Sequence, residues 1–273
     1  MPEINWWCVA LDKPWSWQWI AYPGIWVASI APMVVYTVAV RRHGSVDWRK
    51  ARFFYAGMIV FWIASDWPLG TLGAGYMASA HMVQFLLYTL GAAPLLMLGT
   101  PEWMARGILD RLRLTKAIEW LGGNYLVCAL LYNGILMATH APGTVEVLRR
   151  NQLGSAFMDV VWVLAGIVLW LPVISPLGRR VAAPWGRMAY LFVATAVIAI
   201  VPASFLTFAT TPVYAIYELA PRVTSLSARE DQQLAGIIMK LATIPVVWTT
   251  IAVMWFRWAR HEEQAEEKAE VTA

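Results

Sequence analysis

The chain has 273 residues, of which 59% are hydrophobic and only 14% are charged, with a net charge of +4. A water-soluble domain carries roughly 25% charged residues, so this composition excludes an ordinary soluble globule. Long apolar stretches recur along it, and the expected fold class is all-α: a bundle of transmembrane helices whose solvent is a bilayer.

In chain order, the opening stretch MPEINWWCVALDKPW lacks a basic region followed by an apolar one, so no cleavable signal peptide is expected. Cys8 and Cys128 are expected to stay separate, because one lies near the N-terminus and the other inside a predicted helix. Seven spans follow, at roughly 18–40, 53–66, 79–99, 119–139, 157–176, 188–211 and 233–256. Pro32, Pro94, Pro172, Pro202 and Pro245 fall inside them, as membrane helices tolerate when neighbours satisfy the freed carbonyls. Many of the 17 tryptophans stand near segment ends, where indoles favour the headgroup region. Between the third and fourth spans, TPEWMARGILDRLRLTKA mixes apolar with basic residues and reads as an interfacial amphipathic helix, or as a surface for a partner. The last 17 residues, 257–273, read as a charged, solvated tail. One domain, 1–273, is expected, with no internal repeat.

Loop charge sets the direction. Arg41, Arg42, Arg49, Lys50 and Arg52 occupy the first loop, Arg106, Arg111, Arg113 and Lys116 the third, and Arg179, Arg180 and Arg187 the fifth. Loop 67–78 carries no Lys or Arg, and loops 140–156 and 212–232 carry two arginines each. The positive-inside rule then places the N-terminus outside and the C-terminus inside. The positive net charge is a topology signal rather than a nucleic-acid footprint.

With that orientation, polar groups gather at the outer end: Asp66, His81, Asn133, His140, Asp159, Tyr214 and Asp231. Each has a plainer reading as a helix cap or loop residue. Lys240 does not, because it lies about nine residues into the seventh span, about 12 Å deep. A buried ammonium is costly and usually faces a partner, so pairing with Asp159 or Asp66 is expected, with snorkelling to the surface as the alternative. His81 is expected to bond an acid or to accept the Tyr214 hydroxyl.

Several stretches, in order, resemble the CtaG-type membrane proteins, assembly factors for caa-type cytochrome c oxidases in bacteria. They are SDWPL, SAHMVQFLLYTLGAAPLLMLGTP, HAPG, LAGIVLWLPVISP and DQQLAGIIMK. The resemblance implies a non-enzymatic membrane factor that meets oxidase subunits, linked to copper-centre maturation on the outer face. It implies His81, Met82 and His140 as metal candidates, with Met158 a lesser one. The chain departs from the family pattern at two places. Phe85 stands where a second histidine is expected four residues after His81, and Lys240 stands where a tryptophan is expected. A phenyl ring cannot ligate a metal, so copper is expected to bind weakly or not at all. The alternative is a transporter or permease for copper or another small solute, with the proline-broken helices lining its path. A retinal-binding reading, prompted by a lysine in the last of seven spans, lacks a counter-ion in the third.

Overall fold

The structure is a computed structural model that describes residues 5–11, 13–44, 46–177 and 183–272, with side chains as far as 268. The charged stretch 178–182, part of the fifth loop, lies outside the described residues. All regular structure among the described residues is helical. The first helix, α1 (Pro23–His43), ends at Gly44, whose φ of 81° is the left-handed conformation a helix-terminating glycine supplies. Helix α2 (Trp48–Ser65) is capped by Asp47, which accepts from the Arg49 and Lys50 amides at 2.9 and 3.2 Å. A short buried helix, α3 (Leu69–Gly75), follows where a simple outer loop was expected. Helix α4 runs Ala78–Gly99. The connection to the next span holds two helices, α5 (Glu102–Arg111) and α6 (Thr115–Gly122), in place of one. They part at Arg113, whose φ is 59°. Helices α7 (Tyr125–Thr139), α8 (Pro142–Arg149) and α9 (Gln152–Trp170) come next. They are followed by α10 (Pro184–Phe208) and the single turn α11 (Ala215–Glu218). The chain closes with α12 (Ala228–Leu241) and α13 (Thr243–Thr272).

Five helical runs are long and apolar enough to cross a membrane: α1, α4, α9, α10 and the run Ala228–Lys268. A sixth is added if α6 and α7, bent by 100°, are one span. Gly122, Gly123 and Asn124 make that bend, and it splits the expected span 119–139 between the end of α6 and a 15-residue α7. Helix α2 has the length, but Arg49, Lys50 and Arg52 charge its first turns. The charged tail continues α13 as helix rather than fraying.

Two of the prolines act through local widening. Upstream of Pro94 and Pro202 the helices open into π turns, Leu87–Ala92 and Val193–Val197, which rearrange the carbonyls that a proline leaves without an N–H. Pro245 acts differently. It cannot donate to Leu241, and the last helix is interrupted there, at Ala242.

Small residues set the helix spacing. A Cβ on Gly57 or Gly99 of the α2–α4 pair would lie 2.9 Å from Leu96 Cγ or 2.5 Å from Phe54 Cα. A Cβ on Gly166 of α9 would lie 2.7 Å from the Thr89 Cα of α4. Backbones approach this closely in membranes because lipid supplies no hydrophobic drive, and packing must. Pairings of 57 with 96 and 64 with 84 run α2 antiparallel to α4, whereas 162 with 85 and 166 with 89 run α9 parallel to it. The same end of the bundle therefore collects α3, α8, α11 and the N-terminal segment.

Candidate functional site

That end is sealed by the N-terminal strap. The Ala10 amide donates to the Arg149 carbonyl at 3.0 Å, and the Trp6 amide donates to Gln152 Oε1 at 2.7 Å. The Cys8 thiol donates to the Ser65 carbonyl at 3.2 Å. The Tyr22 hydroxyl meets Thr71 Oγ1 of α3 at 3.0 Å. Trp7 reaches deepest, its Nε1–H donating to Asp159 Oδ2 at 2.8 Å.

Asp159 is fully buried on α9, and its partner is Arg149, at the end of α8, also fully buried. Arg149 Nη2 lies 3.0 Å from Asp159 Oδ1, and Nη1 donates to Ser155 Oγ at 2.7 Å. The guanidinium carbon stands 5.0 Å over the Trp162 ring, a cation–π contact in a desolvated place. The two charges cancel in close contact, which makes an otherwise prohibitive burial tolerable.

Against Trp162 stand two imidazoles. His81 and His140 meet edge to face, with ring centroids 5.4 Å apart. Each ring is fixed through Nδ1. His140 Nδ1 donates to the Leu136 carbonyl at 2.9 Å. The Tyr217 hydroxyl lies 2.7 Å from both the Gly73 carbonyl and His81 Nδ1, and that Nδ1 is itself 3.2 Å from the same carbonyl. For His140, whose partner is a carbonyl, the proton is thereby on Nδ1 and Nε2 carries the lone pair. Each Nε2 is buried without a hydrogen-bond partner. Burial pushes the His140 imidazole down to about 4, so at neutral pH it is uncharged.

Phe85 closes the third side, its ring centroid 4.8 Å from His140 and 5.5 Å from Trp162. The phenyl thus fills the place beside the imidazole pair that a histidine at 85 would occupy. Met82 and Met158 are both buried in the core. Among the described residues, no group of three or more His, Cys, Asp or Glu side chains is arranged to hold a metal ion.

The other polar residues do not converge on this centre. Asp231 accepts from the Ala78 amide at 2.6 Å, from the Ser79 amide at 3.4 Å and from the Ser79 hydroxyl, so α12 caps the start of α4. The cap of α12 is instead Ser227, in a reciprocal box with Glu230. Asp66 lies apart, accepting from the Trp26 and Trp62 indoles at 2.9 and 2.8 Å. Asn133 donates to the Ala194 carbonyl at 3.1 Å, tying α7 to the π turn of α10. Tyr214 donates to the His140 carbonyl at 2.8 Å and does not reach His81; Tyr217, three residues on, takes that place.

Lys240 corrects a second expectation. It is half-buried, and its ammonium donates to the Ala196 carbonyl at 2.8 Å. That carbonyl belongs to the π turn of α10 and is the acceptor within reach, while Asp159 and Asp66 are already engaged elsewhere.

Sequence reasoning missed Arg149, Trp162 and Tyr217. Arg149 was counted as one of two charges on an outer loop, although its neighbour Arg150 is the exposed one. The available signal was Arg149 followed ten residues later by Asp159, across a turn and the first two turns of α9.

The model of one protein family, described as the cytochrome c oxidase caa3 assembly factor, matches residues 34–261. No curated protein and no solved structure matches the chain. The match carries an oxidase assembly role and lends no support to transport.

Proposed function

This chain belongs to the cytochrome c oxidase caa3 assembly factor family, and from that premise we propose that it is a non-enzymatic factor working at the strap-covered end of a seven-helix bundle. In this reading the bundle comprises the five long runs, α2 and the bent α6–α7 pair. It lies in a bacterial plasma membrane with that end outside, where it meets oxidase subunits.

Copper would be cargo. The observation that carries a role for it is the pair of buried, partnerless Nε2 atoms of His81 and His140, each with its Nδ1 pinned. Neutral imidazole of fixed orientation is the form that ligates metal, and the donor type suits copper. The donor number is low. Beyond the two imidazoles the thioether candidates are Met82, which lies about 100° round the helix from His81, and Met158. Weak binding follows, and contact with oxidase subunits carries the function.

The test combines two readouts. The protein, purified in mild detergent, loaded with cuprous ion and desalted, is expected to lose its copper. Phe85→His should retain several-fold more, because the new imidazole would stand beside His140. In cells lacking the gene, the unmodified chain should restore assembled oxidase, and His81→Ala should restore it partly. Tight stoichiometric copper in the unmodified protein, lost on His81→Ala, would overturn the weak-binding reading. Normal oxidase in the deletion strain would overturn the assembly role.

A further inference from the structure

The opposite end of the bundle carries a different feature. Trp103, in the first turn of α5, stacks on His43 at the end of α1, with centroids 4.1 Å apart and planes 14° from parallel. One turn later Arg106 reaches the Leu177 carbonyl, beyond the end of α9, at 3.5 Å. Helix α5 therefore crosses the end of the bundle from the first span to the fifth. Helix α6 continues it and stands at 100° to α7, flat against that end.

This flat elbow leaves large apolar side chains uncovered. Ile108, Leu112, Leu114 and Trp120 are between 44% and 60% exposed. Beside them are the exposed cations Arg111, Arg113 and Lys116, and the α1–α2 turn brings Arg41, Arg42, Arg49 and Arg52 to the same end. On the elbow and the α1–α2 turn the acids are fewer: Asp47, Glu102, Asp110 and Glu119; Glu262, Glu263, Glu266 and Glu267 belong to the terminal helix α13, which also carries Arg257, Arg260 and Lys268. Asp47 caps α2, Glu102 holds Arg106 at 2.9 Å, and Asp110 accepts from Thr115. An apolar face of this kind, lying flat and rimmed by unneutralised cations, has the chemistry of a lipid–water boundary with anionic headgroups.

We propose that the α5–α6 elbow is a binding site for anionic phospholipid of the leaflet it faces. Its apolar residues enter the acyl boundary, and Arg111, Arg113 and Lys116 hold the headgroup phosphates. This does not depend on the assembly reading or on copper.

The test uses the full chain in mild detergent, with thermal unfolding followed by tryptophan fluorescence. Added phosphatidylglycerol is expected to raise the midpoint several degrees more than equimolar phosphatidylcholine. The triple variant Arg111→Gln, Arg113→Asn, Lys116→Gln should lose that difference yet keep its midpoint in phosphatidylcholine. Asn is chosen at 113 because it tolerates the left-handed backbone there. Arg257→Gln with Arg260→Gln, on the terminal helix, should keep the difference. On the unmodified chain, about 0.5 M salt should abolish it, since exposed ion contacts are screened at that strength; this arm stands even if the triple variant fails to fold. Equal stabilisation by the two lipids, a preference insensitive to salt, or a preference that survives the triple change would each overturn the proposal. Inorganic phosphate reproducing the full shift would also overturn it, by showing a free anion site without the bilayer.

Discussion

Arg149 and Asp159 are fully buried, so the charge of each depends on the other and on Trp7 and Ser155. Removing one member of such a pair leaves an uncompensated buried charge, at about 3–5 kcal/mol. Asp159→Asn should therefore lower the unfolding free energy in detergent by that amount, and Arg149→Met with Asp159→Leu should recover most of the loss. An unchanged melting curve for Asp159→Asn would refute the pairing. Lys240→Met should cost about 1 kcal/mol or less, because one hydrogen bond to a carbonyl is lost from a half-buried site. Acid adds a second handle. His140 is held near 4 in the fold, whereas an unfolded imidazole titrates near 6.5. Its contribution to stability is complete above about 6.5 and declines as the pH falls toward 4. His140→Gln should flatten that part of the pH profile. Much at this scale was legible in the sequence: His81 and His140 do come together, and Phe85 does stand where a further imidazole would. Arg149 was not legible, because an arginine near a turn reads as solvated until tertiary contacts bury it.

Between elements, one cross-connection is Asp231 of α12 on the first turn of α4. Met77, which precedes α4, offers no capping side chain, so the helix takes its acceptor from another helix. A carboxylate at that position also complements the positive end of the helix dipole. Asp231→Ala should cost about 1–2 kcal/mol, as loss of a cap does, and Ser79→Ala should cost less, since the backbone amides remain satisfied. Equal effects of the two substitutions on the melting midpoint would mean that the hydroxyl, not the amides, is what Asp231 serves. Gly166→Ala should loosen α4 from α9 by forcing a methyl to 2.7 Å from Thr89 Cα, at about 1–3 kcal/mol. The sequence showed these helices through their apolar length, because length and hydropathy are local properties. It did not show that α3 folds into the end of the bundle or that α6 turns 100° from α7. Those follow from what each segment packs against, which periodicity does not carry.

For the whole molecule, orientation is the property on which every functional statement turns. The basic count favours the α5–α6 end as cytoplasmic, and the structure sharpens that count. Arg149 is buried and neutralised by Asp159, so the opposite end presents fewer free cations than its sequence suggests. In the orientation proposed above, the strap and the imidazole pair face outside and the helical tail, with its exposed Glu266, faces inside. Cys8 is a native reporter of this arrangement. Its thiol is buried beneath the strap against the Ser65 carbonyl, and burial holds its pKa well above the usual thiol value, so it should resist maleimides while the strap is closed. Trp7→Phe removes the indole donor to Asp159 but keeps a ring in place. That change should loosen the strap and raise the labelling rate of Cys8 several-fold with a membrane-impermeant maleimide applied to intact cells. Glu266→Cys, in a chain whose Cys8 and Cys128 are replaced by serine, should label only after the cells are opened. Rapid labelling at position 266 in intact cells would reverse the orientation and place the imidazole pair on the cytoplasmic side, where the assembly reading would need a different route for copper. If Cys8 of the unmodified chain labels rapidly, at the rate of Trp7→Phe, the strap is not latched by Trp7 and stands open without any release step.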